Sequence, residues 1–291
     1  MRRTPVVVWK DFLDASRSLL LWAAVAVMTG IVLMLYLVAW WTGSDPTPMD
    51  IIAPAAILLQ LLVPLLGLII GYRSVVSERQ SGSIKLLLSL PPSRGAVVAG
   101  KFIGRSLVLM TAILAAFGVF IFLSVVLFQE LPLADFVGLA VAAGIVGVAF
   151  VGIAVGVSSL VNSRGQAMAG VISVYLMFLL FWDLFTAGIH RLVMGELPDG
   201  PGGTFEAWYL FFQWLNPLEA YTVLTNAFLD ESFVAFTLPF FAPFDASDVE
   251  GSLAGEAPWY LSEPVAVVVL IAWAAIPVAV GWLRFERVDL G

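Results

Sequence analysis

The chain has 291 residues, of which 61% are hydrophobic and only 12% are charged. Its mean hydropathy is +1.00. Soluble domains carry about 25% charged residues, so this composition indicates a protein solvated by lipid and excludes an ordinary soluble enzyme or binding domain. The absence of cysteine excludes disulfides, thiol chemistry and Cys-ligated metal, and one histidine disfavours a His-rich metal site.

Apolar runs long enough to cross a bilayer predict six membrane-spanning helices. The predicted spans cover about 19–41, 51–71, 106–128, 136–160, 167–189 and 264–282. Ahead of them, apolar and charged residues alternate at helical spacing over 6–18, which predicts an elbow helix in the membrane interface. The predicted fold is an all-α integral membrane protein in which residues 1–291 form a single transmembrane domain.

The segment 190–262, before the last span, is aromatic but broken by polar residues. We interpret 205–240 as two short amphipathic or re-entrant helices at the outer interface, with the bend at Asn216-Pro217. His190, at the end of the fifth span, is predicted to be an interfacial residue rather than a ligand.

The distribution of charge predicts the orientation of the spans. With the N-terminus in the cytoplasm, all fourteen Lys and Arg residues except Arg191 lie on the cytoplasmic side, while 190–262 is rich in Asp and Glu. Positive residues in short loops mark the cytoplasmic side of a membrane protein. Both termini are therefore predicted to be cytoplasmic, in the cell (plasma) membrane, and 72–105 is predicted to be a basic cytoplasmic loop.

A near-match to a phosphate-binding loop lies at Gly95–Phe102, where the text GAVVAGKF follows the G-x-x-x-x-G-K pattern. Phe102 stands where such a loop has a hydroxyl for magnesium, and no β-strand pattern precedes it. We therefore expect no nucleotide site on this chain and no ATP hydrolysis by it.

Inside the predicted spans, two polar residues are candidates for a functional role, and a row of small residues is a candidate for helix packing. Gln60 and Asp183 are costly to place in a membrane and are functional candidates for that reason, although Asp183 lies near enough to a span end to face water. Small residues at four-residue spacing in the fourth span predict close helix packing. They are Ala140, Gly144, Gly152 and Gly156.

The basic loop also predicts a short amphipathic helix that presents a polar face to the cytoplasm and ends at Pro91-Pro92. The loop resembles the permease subunits of ABC-2 type transporters. The matching positions are Glu78-Arg79, Gly82, Ile84–Leu90, Pro91, Arg94 and Gly100-Lys101. The resemblance extends to the elbow, the six-span layout and Asn216-Pro217. Within the family, the chain is similar in particular to the branch that contains the permeases of nitrous-oxide-reductase maturation systems.

This resemblance implies a permease that moves an unidentified substrate, by export, and forms a dimer with a second copy or a paralogue. Its energy would come from a separate cytoplasmic ATPase that holds ATP and magnesium, so this chain would carry no cofactor. The implied residues of ATPase coupling are Glu78, Arg79, Gly82, Lys85, Pro91 and Arg94. The lipid bilayer is a further expected partner, and nucleic acid is not. The alternative is a secondary transporter or a non-transporting membrane scaffold, with Asp183 as the key group.

Overall fold

The computed structural model describes residues 19–42, 47–80, 94–198, 203–229, 253 and 256–287. Over these ranges all regular elements are helical, apart from an isolated bridge between Phe205 and Leu253. The bounds are α1 Leu19–Thr42, α2 Met49–Gly71, α3 Val76–Gln80, α4 Arg94–Phe128, α5 Leu133–Leu160, α6 Arg164–Leu176, a π-helical turn π1 Met177–Phe181, α7 Trp182–Met194, α8 Ala207–Trp214, α9 Pro217–Asn226 and α10 Glu263–Glu286.

Six helices in the described ranges are long and apolar enough to cross a membrane: α1, α2, α4, α5, the continuous rod α6–π1–α7, and α10. The prediction of an all-α, six-span membrane protein is therefore confirmed. The side on which the termini lie remains a prediction, and the elbow at 6–18 lies outside the described residues.

Helix α5 forms the centre of the bundle. Its apolar residues lie on all sides of the helix, and most of them are buried. A helix without a polar face is stable only where other helices or lipid surround it. α5 packs chiefly against α2 and α10, so these three helices form the core.

The outer helices expose large apolar side chains to their surroundings. Leu37 on α1, Phe185 on α7 and Ile276 on α10 are examples. Isolated exposed apolar residues are common on soluble proteins, but whole helix faces of this kind require lipid or another apolar partner. The surface thus agrees with a multi-pass membrane protein.

The spanning helices all extend beyond the predicted spans, and two of them do so most. α4 begins at Arg94, twelve residues before the predicted start at 106, and the fifth spanning rod runs from Arg164 to Met194. Hydropathy identifies only the part of a helix that matches the bilayer. Charged residues such as Lys101 and Arg105 lower the hydropathy of the rest of α4, so that part was not predicted as a span. Helical structure therefore occupies both ends of the segment 72–105, which is predicted to be a cytoplasmic loop.

The two ends of the bundle differ in charge. We call the end formed by Tyr72–Gln80, the first turns of α4, the α5–α6 turn and the last turn of α10 the basic end. It carries Arg73, Lys101, Arg105, Arg164, Arg284 and Arg287 among the described side chains, against the two acids Glu78 and Glu286. The opposite, acidic end carries Asp50, Glu130, Asp135, Glu196, Glu206, Glu256 and Glu263, against Arg191. The basic end is the end predicted to face the cytoplasm.

Candidate functional site

The segment Tyr72–Gln80 leaves α2 at the basic end and folds back onto the bundle. It consists of a turn at 72–75 followed by the five-residue helix α3. The hydroxyl oxygen of Ser158, on α5, accepts hydrogen bonds from the backbone N–H groups of Val75 and Val76, each at 3.1 Å. All three residues are buried. The first N–H groups of a helix have no partner within it, so α5 supplies the acceptor that α3 lacks.

An ion pair joins the same segment to α4. Lys101 Nζ donates to Glu78 Oε1 at 2.5 Å, and the Lys101 side chain is only 8% exposed. A lysine is rarely buried to this degree unless it is paired, because the ammonium group loses its water. Gln80 Nε2 also donates to the Asn162 carbonyl oxygen, at 3.4 Å. The segment is therefore attached to α4, to α5 and to the α5–α6 turn.

The other residues implied for ATPase coupling lie on either side of this attachment. Arg79 belongs to α3 and Arg94 is the first residue of α4. Gly82, Lys85 and Pro91 lie outside the described residues, as does most of the amphipathic helix predicted there. The structure thus places Glu78 and Arg79 at the start of the loop and Arg94 at its end.

The near-match to a phosphate-binding loop is part of a regular helix. Gly95–Phe102 lies within α4, and Gly95 contacts the Trp282 indole of α10. A phosphate-binding loop wraps free backbone N–H groups around the phosphates, whereas this segment uses its N–H groups within the helix beyond the first turn of α4. Lys101, which would reach the phosphate, is paired with Glu78 instead. This segment is not a phosphate-binding loop.

At the other end, α8 and α9 form a hairpin, α8–α9, whose bend lies at Leu215 and Asn216. The Asn216 side-chain oxygen accepts from the Leu218 N–H at 3.0 Å and so caps α9, while Pro217 occupies the first helical position. The Asn216 amide also donates to the Phe178 carbonyl oxygen at 2.9 Å. Phe178 lies in the π1 turn, where the regular hydrogen-bond pattern changes and a side chain from outside can enter.

Two tryptophans satisfy carbonyl groups at the end of α8. Trp182 Nε1 donates to the Phe212 carbonyl oxygen at 3.1 Å, and Trp273 Nε1 donates to the Leu215 carbonyl oxygen at 2.9 Å. The last carbonyls of a helix have no partner within it, and such groups are costly in an apolar environment. These bonds allow the bend to lie among apolar helices rather than at the surface.

Gln60, a candidate functional residue in the sequence, holds the hairpin to α2. Its amide nitrogen donates to the Leu218 carbonyl oxygen at 3.1 Å and to Thr222 Oγ1 at 3.0 Å, and its side chain is buried. Tyr221 adds a bond from its hydroxyl to the Ala56 carbonyl oxygen at 3.1 Å. Gln60 lies three turns along α2 from its acidic end, so the hairpin re-enters the helix bundle.

Glu219 is a buried carboxyl group that the sequence analysis did not single out. It is 6% exposed and lies within electrostatic range of Asp183, which is half-buried at the start of α7. Burial raises the pKa of Glu219 to about 8, and the Asp183 carboxylate adds to the rise. A glutamate in the first turn after Asn216-Pro217, among aromatic residues, was the signal available in the sequence.

The side chain of His190, near the end of the fifth spanning rod, is buried. Its Nδ1 lies 2.9 Å from the Glu196 carbonyl oxygen, and its Nε2 lies 3.1 Å from Glu206 Oε2. The ring stacks on Trp208. His190 therefore joins the end of α7 to the start of α8, and within the described ranges no group of three acids or histidines could hold a metal ion.

The small residues of α5 face two different helices. An added Cβ at Gly152 would collide with the Ala274 backbone of α10, and one at Gly156 would collide with Pro277. Gly144 faces Met110 of α4, and Ala140 packs partly buried against the core. A four-residue step advances about 40° around a helix, which explains why one row of small residues serves two neighbours.

Comparison with known proteins agrees with this architecture. The family model described as ABC-2 family transporter protein matches residues 6–290. The chain is 27% identical over 242 residues to the "Probable ABC transporter permease protein NosY" of Stutzerimonas stutzeri, covering 81% of this chain and 79% of that protein. It is 26% identical over 240 residues to the protein of the same name from Pseudomonas aeruginosa, with the same coverage. The chain belongs to the ABC-2 family of transporter proteins.

Proposed function

We propose that this chain is the membrane-spanning permease subunit of an ATP-binding-cassette transporter and exports an unidentified substrate. A separate cytoplasmic ATPase subunit would bind ATP and magnesium, and a second permease copy or a paralogue would complete a dimer. The observation that carries the proposal is the attachment of Tyr72–Gln80 at the basic end. There Ser158 and Lys101 hold the start of the cytoplasmic loop against two membrane helices.

A loop attached in this way suits the transmission of force. A partner that binds the loop can bias the bundle between two arrangements only if its motion reaches the helices. A freely hinged loop would absorb that motion. Family membership supports the same division of labour, with the membrane path on this chain and nucleotide chemistry on another.

The direct test is purification of the full chain together with a candidate ATPase subunit from the same organism. We expect Arg79→Glu, which reverses a charge at the start of the loop, to reduce the amount of co-purified ATPase. Arg164→Glu is the matched control, since Arg164 is exposed at the same end but is the first residue of α6. If the wild-type chain retains no ATPase, or if the purified chain transports without ATP, the proposal is wrong.

A secondary transporter is the other candidate, and the proximity of the Asp183 and Glu219 carboxyl groups is the observation that favours it. Transport would then follow a proton gradient and would be lost in Asp183→Asn while Arg79→Glu remained active. An ABC transporter predicts the reverse, namely that Arg79→Glu loses transport while Asp183→Asn keeps it.

A further inference from the structure

The attachment of Tyr72–Gln80 depends on two side chains from different membrane helices. Ser158 projects from the last turns of α5, and Lys101 projects from the first turns of α4. They contact the segment at different points, Ser158 at Val75 and Val76 and Lys101 at Glu78. α3 is thus held on two sides, which a single contact could not achieve.

Ser158 differs from its neighbour in how it uses its hydroxyl group. A serine within a helix commonly bonds the carbonyl four residues before it, as Ser159 does with Val155 at 2.8 Å. Ser158 instead accepts two N–H groups from the segment, which occupies both acceptor positions of its oxygen. Both serines are buried, so exposure does not explain the difference.

The Lys101–Glu78 pair is equally specific in its placement. At its N-terminal end, α4 extends beyond the apolar part of the span, and this extension brings Lys101 into contact with Glu78 of α3. Removal of either partner would leave the other charge poorly solvated, because Lys101 is almost wholly buried. The pair therefore holds α3 at a defined position against α4.

We propose that Ser158 and Lys101 are positioning residues that clamp α3 to α5 and α4, so that ATP-driven displacement of the cytoplasmic loop moves these helices. Without the clamp, the turn at 72–75 would bend and the displacement would stop at α3. This inference rests on the proposed function, since it assigns the path by which the ATPase acts. It predicts that coupling can be lost while the ATPase remains bound.

The test uses the full complex in lipid nanodiscs and compares hydrogen–deuterium exchange with and without a non-hydrolysable ATP analogue. In the wild type, the analogue should change exchange in peptides of α3, α4 and α5. In Ser158→Ala the change should remain at the ATPase and α3 and fall about five-fold or more in α5, with the amount of bound ATPase unchanged. Ser159→Ala is the matched control and should respond like the wild type.

The ion pair gives a second and independent variant. Lys101→Gln should reduce the response in α4, whereas Lys101→Arg, which keeps a positive charge opposite Glu78, should retain it. Retention in Lys101→Arg separates a positional role from a general loss of stability, and this pair of variants decides the matter if Ser158→Ala fails to assemble. If both Ser158→Ala and Lys101→Gln respond like the wild type, or if Lys101→Arg loses as much as Lys101→Gln, the clamp is wrong. If the wild-type chain binds no ATPase, the proposed function itself has failed.

Discussion

At the scale of the residue, Glu219 is a carboxyl group that folding moves away from water and toward the carboxyl group of Asp183. Its pKa rises from an ordinary 4.5 to about 8. The folded chain therefore retains a proton that the unfolded chain releases. The resulting stability is complete below pH 4.5 and is lost as the pH rises through about 8.

We therefore expect Glu219→Gln to flatten the decline in melting temperature between about pH 5 and pH 9. The titratable group on another element that acts on Glu219 is Asp183 of α7, which also acts on Tyr209 of α8. Glu196→Gln, at an exposed position, should keep the wild-type profile. Thermal unfolding in detergent micelles across this pH range is the measurement, and coincident profiles for Glu219→Gln and the wild type would contradict the buried position of Glu219.

At the scale of the element, the α8–α9 hairpin depends on its bend. Asn216→Ala removes both the cap of α9 and the donor to the Phe178 carbonyl, so the free energy of unfolding should fall by about 2 kcal/mol. Asn216→Ser keeps a capping oxygen but cannot reach Phe178, and should lose less. Equal losses in the two variants would mean that the cap of α9 contributes nothing.

The contact between α5 and α10 is the second element whose geometry is testable. Gly152→Ala places a methyl group against the Ala274 backbone, so the helices must separate and stability should fall by about 1–3 kcal/mol. Gly118→Ala is the control, because nothing lies within 4 Å of its added Cβ. In a helix interior that change should stabilise by up to about 1 kcal/mol. A wild-type melting temperature for Gly152→Ala would show that the helices do not pack so closely.

The helices could be predicted from sequence far better than the contacts between them. Apolar runs of bilayer length mark a span by composition alone, and Asn216-Pro217 marks a bend through local backbone chemistry. Gln60 could be recognised in the sequence as a polar residue within a span. Its hydrogen-bond partners lie more than 150 residues further along the chain, and only the packed structure identifies them. Ser158 and Ser159 look alike in sequence, and only the fold separates their roles.

The burial of Glu219 escaped prediction for a related reason. An acid in an aromatic, Pro-broken segment suggests a surface position, since burial of a charge is costly. The bend at Asn216 turns the segment back into the bundle and takes Glu219 with it. The first twelve residues of α4 were not predicted as helix, because they include polar residues. Hydropathy identifies only the apolar part of a helix that matches the bilayer.

At the scale of the whole molecule, the charge difference between the two ends predicts orientation, and the cysteine-free chain makes that testable without background labelling. Leu192→Cys, at a position 87% exposed near the acidic end, should react with a membrane-impermeant maleimide in intact cells. Arg164→Cys should react only after the membrane is permeabilised. The opposite pattern would invert the topology and place the basic end outside.

The central claim is that the basic end of this bundle receives a cytoplasmic ATPase at the loop that begins with α3. The most direct measurement is a site-specific crosslink from a photoreactive residue at Arg79 in the full complex, with the same residue at Leu192 as the control. We expect position 79 to crosslink to the ATPase subunit and position 192 not to. A crosslink to the ATPase from position 192, or none from position 79 in a complex that retains the ATPase, would contradict the account.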